Sequence, residues 1–274
     1  LEEFHTGERK ERRKTVIDFS WSRVDKKDNT PILKDTEIDD LAEDLLADYK
    51  PQLLKEPTPI NYLHFLESYL GANVEFMDIY YEDKRIFGAT SFNDREHLKV
   101  FDRENSRTIP RKLKKRTIVI DNYVMQEGKE GLALFTGLHE GGHLWLHPGV
   151  FESPVCDGQL SILKDTPRIR PVVCCRQNSI ESFGRKKKLI TSEDFREHQA
   201  DYFASAIAMP KSTFIPLAEK ILGSEGIDGG RVITGTDYWH DWFAETEFPK
   251  LIADAYGVSK QAAAIKLRKF GFIV

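Results

Sequence analysis

Residues 131–147 read GLALFTGLHEGGHLWLH. The run keeps a helical period, with Leu134, Phe135, Leu138, Leu144 and Trp145 spread around its axis, and Pro148-Gly149 ends it. A helix apolar on so many faces belongs inside a protein. It nevertheless carries His139-Glu140-Gly141-Gly142-His143. Histidines four residues apart lie one above the other on a helix, so both imidazoles can reach one metal ion. Glu140, one step beyond the first, projects beside that ion, where it can bond a water. Burying two imidazoles and a carboxylate costs several kcal/mol unless something satisfies them, and a divalent cation does. With 8 histidines in 274 residues, chance supplies roughly 0.02 such patterns. Gly141 and Gly142 each cost about 1 kcal/mol in a helix interior. Close approach of another backbone, a substrate or a packing notch would account for them.

A catalytic zinc takes three protein ligands and leaves a position for water. His147 continues the row, but at 1.5 Å per residue it lies about 12 Å along the axis from His139, too far for one ion on a straight helix. The third histidine of metzincins has no counterpart, because Leu146 stands at the glycine position. The better candidate lies in TSEDFREHQADYFASAIAMP (191–210), a second strong helix capped by Thr191 or Ser192 and closed by Pro210. One of its faces carries Glu197, Asp201, Ala204 and Ala208, and the small end permits close packing. Read alone, that acidic pair is a solvated face. Beside an H-E-x-x-H, Glu197 is expected as third ligand and Asp201 as the group that holds a histidine by its other nitrogen.

The chain upstream decides the fold class. DTEIDDLAEDLLADY (35–49) sets Ile38, Leu41, Leu45 and Leu46 on one helical stripe behind an acidic turn. INYLHFLESYLG (60–71) repeats the period until Gly71. NVEFMDIYY (73–81), RIFGATSF (85–92) and RTIVIDNYV (116–124) are short and rich in β-branched and aromatic residues, which predicts three or four strands. Helices return afterwards, through STFIPLAEKILG (212–223) to SKQAAAIKLRKFG (259–271). Strands first and helices later mean α+β: a small mixed or antiparallel sheet packed on a helical bundle that contains the H-E-x-x-H helix, a minimal zincin-like arrangement. Residues 1–30 are expected to be a weakly ordered charged leader. Residues 31–274 then form one unit, with an inserted segment at about 148–190.

Composition narrows the function. The chain is 40% hydrophobic and 31% charged, with a net charge of −4. That is a soluble globular balance, unlike that of a nucleic-acid coat. No apolar run approaches the roughly 18 residues of a membrane span, and LEEFHTGERKERRKT (1–15) lacks the apolar stretch of a signal peptide. Three cysteines, Cys156, Cys174 and Cys175, are too few for a disulfide framework and suggest a reducing, cytoplasmic setting.

LFTGLHEGGHLWLH, EHQADYFASAIAMP and the strand TIVIDN together resemble the ImmA/IrrE family of zinc metallopeptidases. That family carries F-T-x-x-H-E-x-G-H, matched by Phe135, Thr136, His139, Glu140, Gly142 and His143. Its downstream helix is matched by Glu197, Ala200, Asp201, Phe203, Ala204, Met209 and Pro210, and GVSKQAAAIKLRKFGFI is similar to its closing helix. The resemblance spans roughly residues 58–274. It implies a compact gluzincin-like endopeptidase with one catalytic zinc, and a protein or peptide substrate such as a helix-turn-helix repressor, since members relieve repression by cleaving repressors encoded beside them. Two features depart from the family: a longer connection between the two motifs, and Gly141 where a larger residue is common.

Other features receive plainer readings. The cysteines with His147 could form a second, structural zinc site, but an adjacent Cys pair chelates poorly and ordinary thiols are expected. The basic closing helix could read DNA, although a structural role is expected and nucleic acid is not. Tyr238 and His240 are candidate oxyanion donors, set in an aromatic run that core packing would also explain. The basic runs at 8–14 and 111–116 read as solvated, with an acidic partner as the sharper alternative. The strand at 117–121 is the candidate edge for holding an extended substrate. The reading is therefore a cytoplasmic zinc endopeptidase with no membrane partner. The alternatives are a non-catalytic metal-stabilised regulatory module and a DNA-binding protein.

Overall fold

The computed structural model describes residues 21–83, 85–94, 97–151 and 189–274, and the backbone of 172–176. Helix α1 (Asp35–Tyr49) starts on its acidic turn, where the Glu37 carboxylate accepts the Lys34 backbone N–H at 2.7 Å. Its Ile38, Ala42, Leu45 and Leu46 stripe is buried. Helix α2 (Tyr62–His64) runs on through a π-turn (Phe65–Tyr69) that buries Phe65, Leu66 and Tyr69.

Strands β1 (Asn73–Met77), β2 (Ile86–Ser91), β5 (Thr117–Asp121) and β6 (Val172–Arg176) form one sheet in the order β1-β5-β2-β6. β1 runs parallel to β5, and the other two pairings are antiparallel. Strands β3 (His97–Asp102) and β4 (Arg107–Lys112) make a separate antiparallel ribbon, bridged to the chain after β1 at Ile79 and Val100. The expectation that 117–121 offers an edge is overturned. β5 is hydrogen-bonded on both sides and all five of its residues are buried, so its backbone has nothing left for a substrate. The free side of β2 is taken by β6, which comes from the expected insertion. Cys156 and the stretches 152–171 and 177–188 lie outside the described residues, as do residues 1–20 of the expected leader.

The helices then follow: α3 (Glu130–Leu146), α4 (Pro148–Phe151), α5 (Ser192–Ala208), α6 (Lys211–Ser224), α7 (Tyr238–Trp242), α8 (Phe248–Tyr256) and α9 (Lys260–Lys269). The fold is α+β. Helix α3 lies between the sheet and α5. Gly142 explains how close α5 comes: a Cβ there would sit 3.2 Å from Ala200 Cα and 3.3 Å from Ala200 O. Gly141 faces the other way, where a Cβ would meet Leu66 Cδ2 at 2.6 Å. Of the explanations open for this pair, neighbouring protein fills both. Among the described residues no helix is long and apolar enough to cross a membrane.

Candidate metal centre

Helix α3 carries His139 and His143 on one row, both with no exposure to solvent. Their Nε2 atoms stand 3.0 Å apart. Helix α5 brings Glu197 to the same point: Oε1 lies 3.4 Å from His143 Nε2, and Oε2 lies 3.6 Å from His139 Nε2. A capping box starts that helix, with the Thr191 hydroxyl accepting the Asp194 N–H and the Asp194 carboxylate accepting the Thr191 N–H. Small residues let it pack close: Gly142 on one side, Ala200 and Ala204 on the other, with both alanines fully buried.

His139, His143 and Glu197 form a group that could hold a metal ion, one donor atom from each lying within 4.8 Å of the others. The donor set fits such an ion. Bonds of about 2.05 Å in a tetrahedral site put ligand atoms about 3.3 Å apart, and the separations of 3.0, 3.4 and 3.6 Å fall around that value. Among the described residues Glu197 Oε2 is buried without a hydrogen-bond partner, and a buried carboxylate oxygen with no donor is costly unless a cation faces it. Two imidazole nitrogens 3.0 Å apart likewise need a proton or a cation between them.

The electrostatics favour an anionic carboxylate at Glu197. Burial acts to raise the Glu197 pKa, but the imidazoles of His143 and then His139 outweigh it and bring the carboxyl down to about 2. Burial pushes the His143 imidazole below its usual value, and that of His147 well below. A carboxylate that is already ionised sheds no proton when it binds a cation at neutral pH.

Around the trio, Asp201 on α5 has Oδ1 2.8 Å from His139 Nδ1. Burial raises its carboxyl pKa, and the bond from His139 works against that rise. Glu140 is wholly buried. Thr90 on β2 donates to its Oε2 at 2.5 Å, and Gly88 makes room for it, since a Cβ there would meet Glu140 Oε1 at 2.8 Å. Sequence reasoning did not single out these two β2 residues. A glycine inside a strand, which often marks a close approach, was the available signal. His147 is not among the three. Its Nδ1 sits 3.0 Å from His143 Nδ1, and its Nε2 sits 2.9 Å from Gln199 Oε1.

The outer candidates have other surroundings. Tyr238 is 85% exposed. His240 Nδ1 is bonded to Asp237, the cap of its own helix α7. Solvent and a helix cap lend no support to an oxyanion role. On α9, Lys266 is buried and donates to Ser205 O, Arg268 pairs with Glu245, and Lys269 pairs with Asp35. Most of that helix's positive charge is thus spent inside the protein.

Comparison with protein-family models gives no match, and comparison with curated proteins gives none either.

Proposed function

We propose that this protein is a zinc-dependent endopeptidase of the ImmA/IrrE kind. The reading is carried by one observation: two imidazoles from α3 and a carboxylate from α5 converge within bonding range of one point, while the glutamate that follows the first imidazole is gripped from the sheet. His139, His143 and Glu197 would hold the ion, and two neutral imidazoles with one carboxylate suit zinc. When bound, zinc supplies a Lewis acid for the scissile carbonyl and lowers the pKa of water at its open position.

The chain's own residues do the rest. Glu140 takes the proton of the attacking water and passes it to the leaving amine. Thr90 holds the Glu140 carboxylate, so the base does not have to be oriented during the reaction. Asp201 fixes His139 by its Nδ1–H, which leaves Nε2 bare for the ion. A metal-stabilised module without catalysis would have no use for a buried glutamate held in this way, and the internally paired cations of α9 disfavour a DNA-binding face. The substrate class is a protein or peptide, such as a helix-turn-helix repressor, acted on in the cytoplasm.

The experiment is elemental analysis of the purified chain together with co-expression beside a neighbouring repressor. One zinc per chain, lost in Glu197→Ala and kept in Glu140→Gln, is expected. Cleavage of the repressor should disappear in Glu140→Gln. A Glu140→Gln protein that still cleaves would end the mechanism, and full zinc in Glu197→Ala would remove Glu197 from the ligands.

A further inference from the structure

Of the two metal-facing imidazoles, His143 is the one whose second nitrogen meets no carboxylate among the described residues. Its Nδ1 faces another imidazole, His147, at 3.0 Å. What decides which nitrogen carries the hydrogen lies further out. Gln199 Nε2 donates to the Pro31 carbonyl at 2.7 Å. A carbonyl only accepts, so the amide orientation of Gln199 is fixed, and its Oε1 must be the atom 2.9 Å from His147 Nε2. That oxygen also only accepts, so His147 Nε2 carries a hydrogen. A second hydrogen on Nδ1 would leave a buried imidazolium facing only an amide oxygen and another imidazole. His147 Nδ1 is therefore bare and accepts from His143 Nδ1–H, which leaves His143 Nε2 bare towards His139 and Glu197. Each link in the chain has one permitted direction.

The fixed end of this chain is itself fastened. Arg196, beside Glu197 on α5, donates to Asp28 Oδ2 at 2.9 Å and to the Thr30 hydroxyl at 2.8 Å. Trp21 Nε1 donates to Leu146 O at 3.0 Å, next to His147. Val24 and Pro31 are bridged to each other. Residues 21–31 thus form a strap tied to the end of α3 and to α5.

We infer that His147 and Gln199 are positioning residues, and that the strap's Pro31 carbonyl anchors a hydrogen-bond chain that sets the tautomer and orientation of His143. This rests on the zinc-site reading, though not on hydrolysis.

The test is the zinc dissociation constant of the full chain, measured by competition with a chromogenic chelator, together with the visible spectrum of the cobalt-loaded protein. His147→Leu should weaken zinc by about 10- to 100-fold, the usual effect of losing such a partner, and should alter the cobalt bands. His147→Asn, whose carbonyl can take the His143 Nδ1–H, should recover most of that loss. Gln199→Leu should fall between. Zinc affinity within twofold of wild type in His147→Leu, with an unchanged cobalt spectrum, would overturn the inference. If His147→Leu does not fold, unchanged affinity and spectrum in Gln199→Leu overturn it. A wild-type chain that binds zinc but cleaves nothing sinks the peptidase reading and leaves this one standing. A wild-type chain that takes up no zinc sinks both.

Discussion

The Thr90 hydroxyl on β2 donates a 2.5 Å hydrogen bond to Glu140 Oε2 on α3, across 50 residues of sequence and in the absence of solvent. The sheet therefore sets the direction of the carboxylate that serves as base in the proposed mechanism. A bond to a charged acceptor in such a place contributes about 1.5–3 kcal/mol. Thr90→Val keeps the shape and removes the donor. We expect it to keep full zinc by elemental analysis while peptide hydrolysis falls by about tenfold, the effect of about 1.4 kcal/mol on a barrier. Thr90→Ser, which keeps the hydroxyl, should stay near wild type. Wild-type kcat/KM in the valine variant would separate Thr90 from the chemistry.

Gly88 makes a related prediction from the opposite direction. A methyl group there would press on Glu140 Oε1 at 2.8 Å, on Glu140 Cγ at 2.9 Å and on Thr136 Cγ2 at 2.9 Å. Overpacking of this kind costs about 1–3 kcal/mol. In Gly88→Ala the thermal midpoint should fall and hydrolysis should drop with the metal retained, because the glutamate moves while the three ligands do not. Unchanged urea stability would show that the strand yields at no cost.

The parts of this site most legible in the sequence share one helix. His139, Glu140 and His143 follow from a spacing that any helix imposes. Glu197 and Asp201 on α5 were reachable because a catalytic zinc asks for a third ligand beside H-E-x-x-H, because Ala204 and Ala208 on their face signalled close packing, and because the family motif matches both residues. Thr90 and Gln199 were not reachable, since the strand or strap that meets each side chain is a matter of tertiary packing and leaves no periodic trace. Two features of the β-structure leave a trace in the sequence. TIVID is an unbroken run of buried residues in a centrally paired strand, and such runs mark strands covered on both faces, not edges. HLKVFD alternates exposed and buried positions into Val100, a strand pattern that its charged neighbours obscured.

The two adjacent glycines of α3 should respond differently to the same substitution. Alanine at either gains about 1 kcal/mol of helix propensity. At position 141 the new methyl meets the ends of two side chains, Leu66 Cδ2 at 2.6 Å and Leu70 Cδ1 at 3.5 Å, and the nearer one can rotate away, so Gly141→Ala should be near neutral. At position 142 it meets the Ala200 backbone at 3.2 and 3.3 Å, which cannot. Gly142→Ala should push α5 from α3, carry Glu197 away from the imidazoles and weaken zinc by tenfold or more, read by chelator competition. Equal zinc affinities in the two variants would contradict this account of the helix contact.

Lys266 supplies a prediction independent of any metal. It is 2% exposed, and its Nζ donates to Ser205 O at 3.2 Å. Burial brings its pKa from 10.5 down to about 8. Between those two values the unfolded chain holds a proton that the folded chain has released, so unfolding takes up a proton and stability rises with pH across that window. Below about pH 8 the folded protein bears the full cost of burying the ammonium. Lys266→Met cannot titrate and serves as the reference. Measured by urea unfolding, the stability of wild type relative to Lys266→Met should increase by about 2 kcal/mol between pH 7 and pH 10. A difference that stays flat over that range would mean that water or an acidic neighbour already compensates the cation, and Asp39 would be the first residue to suspect, because its charge acts on Lys266 in the upward direction.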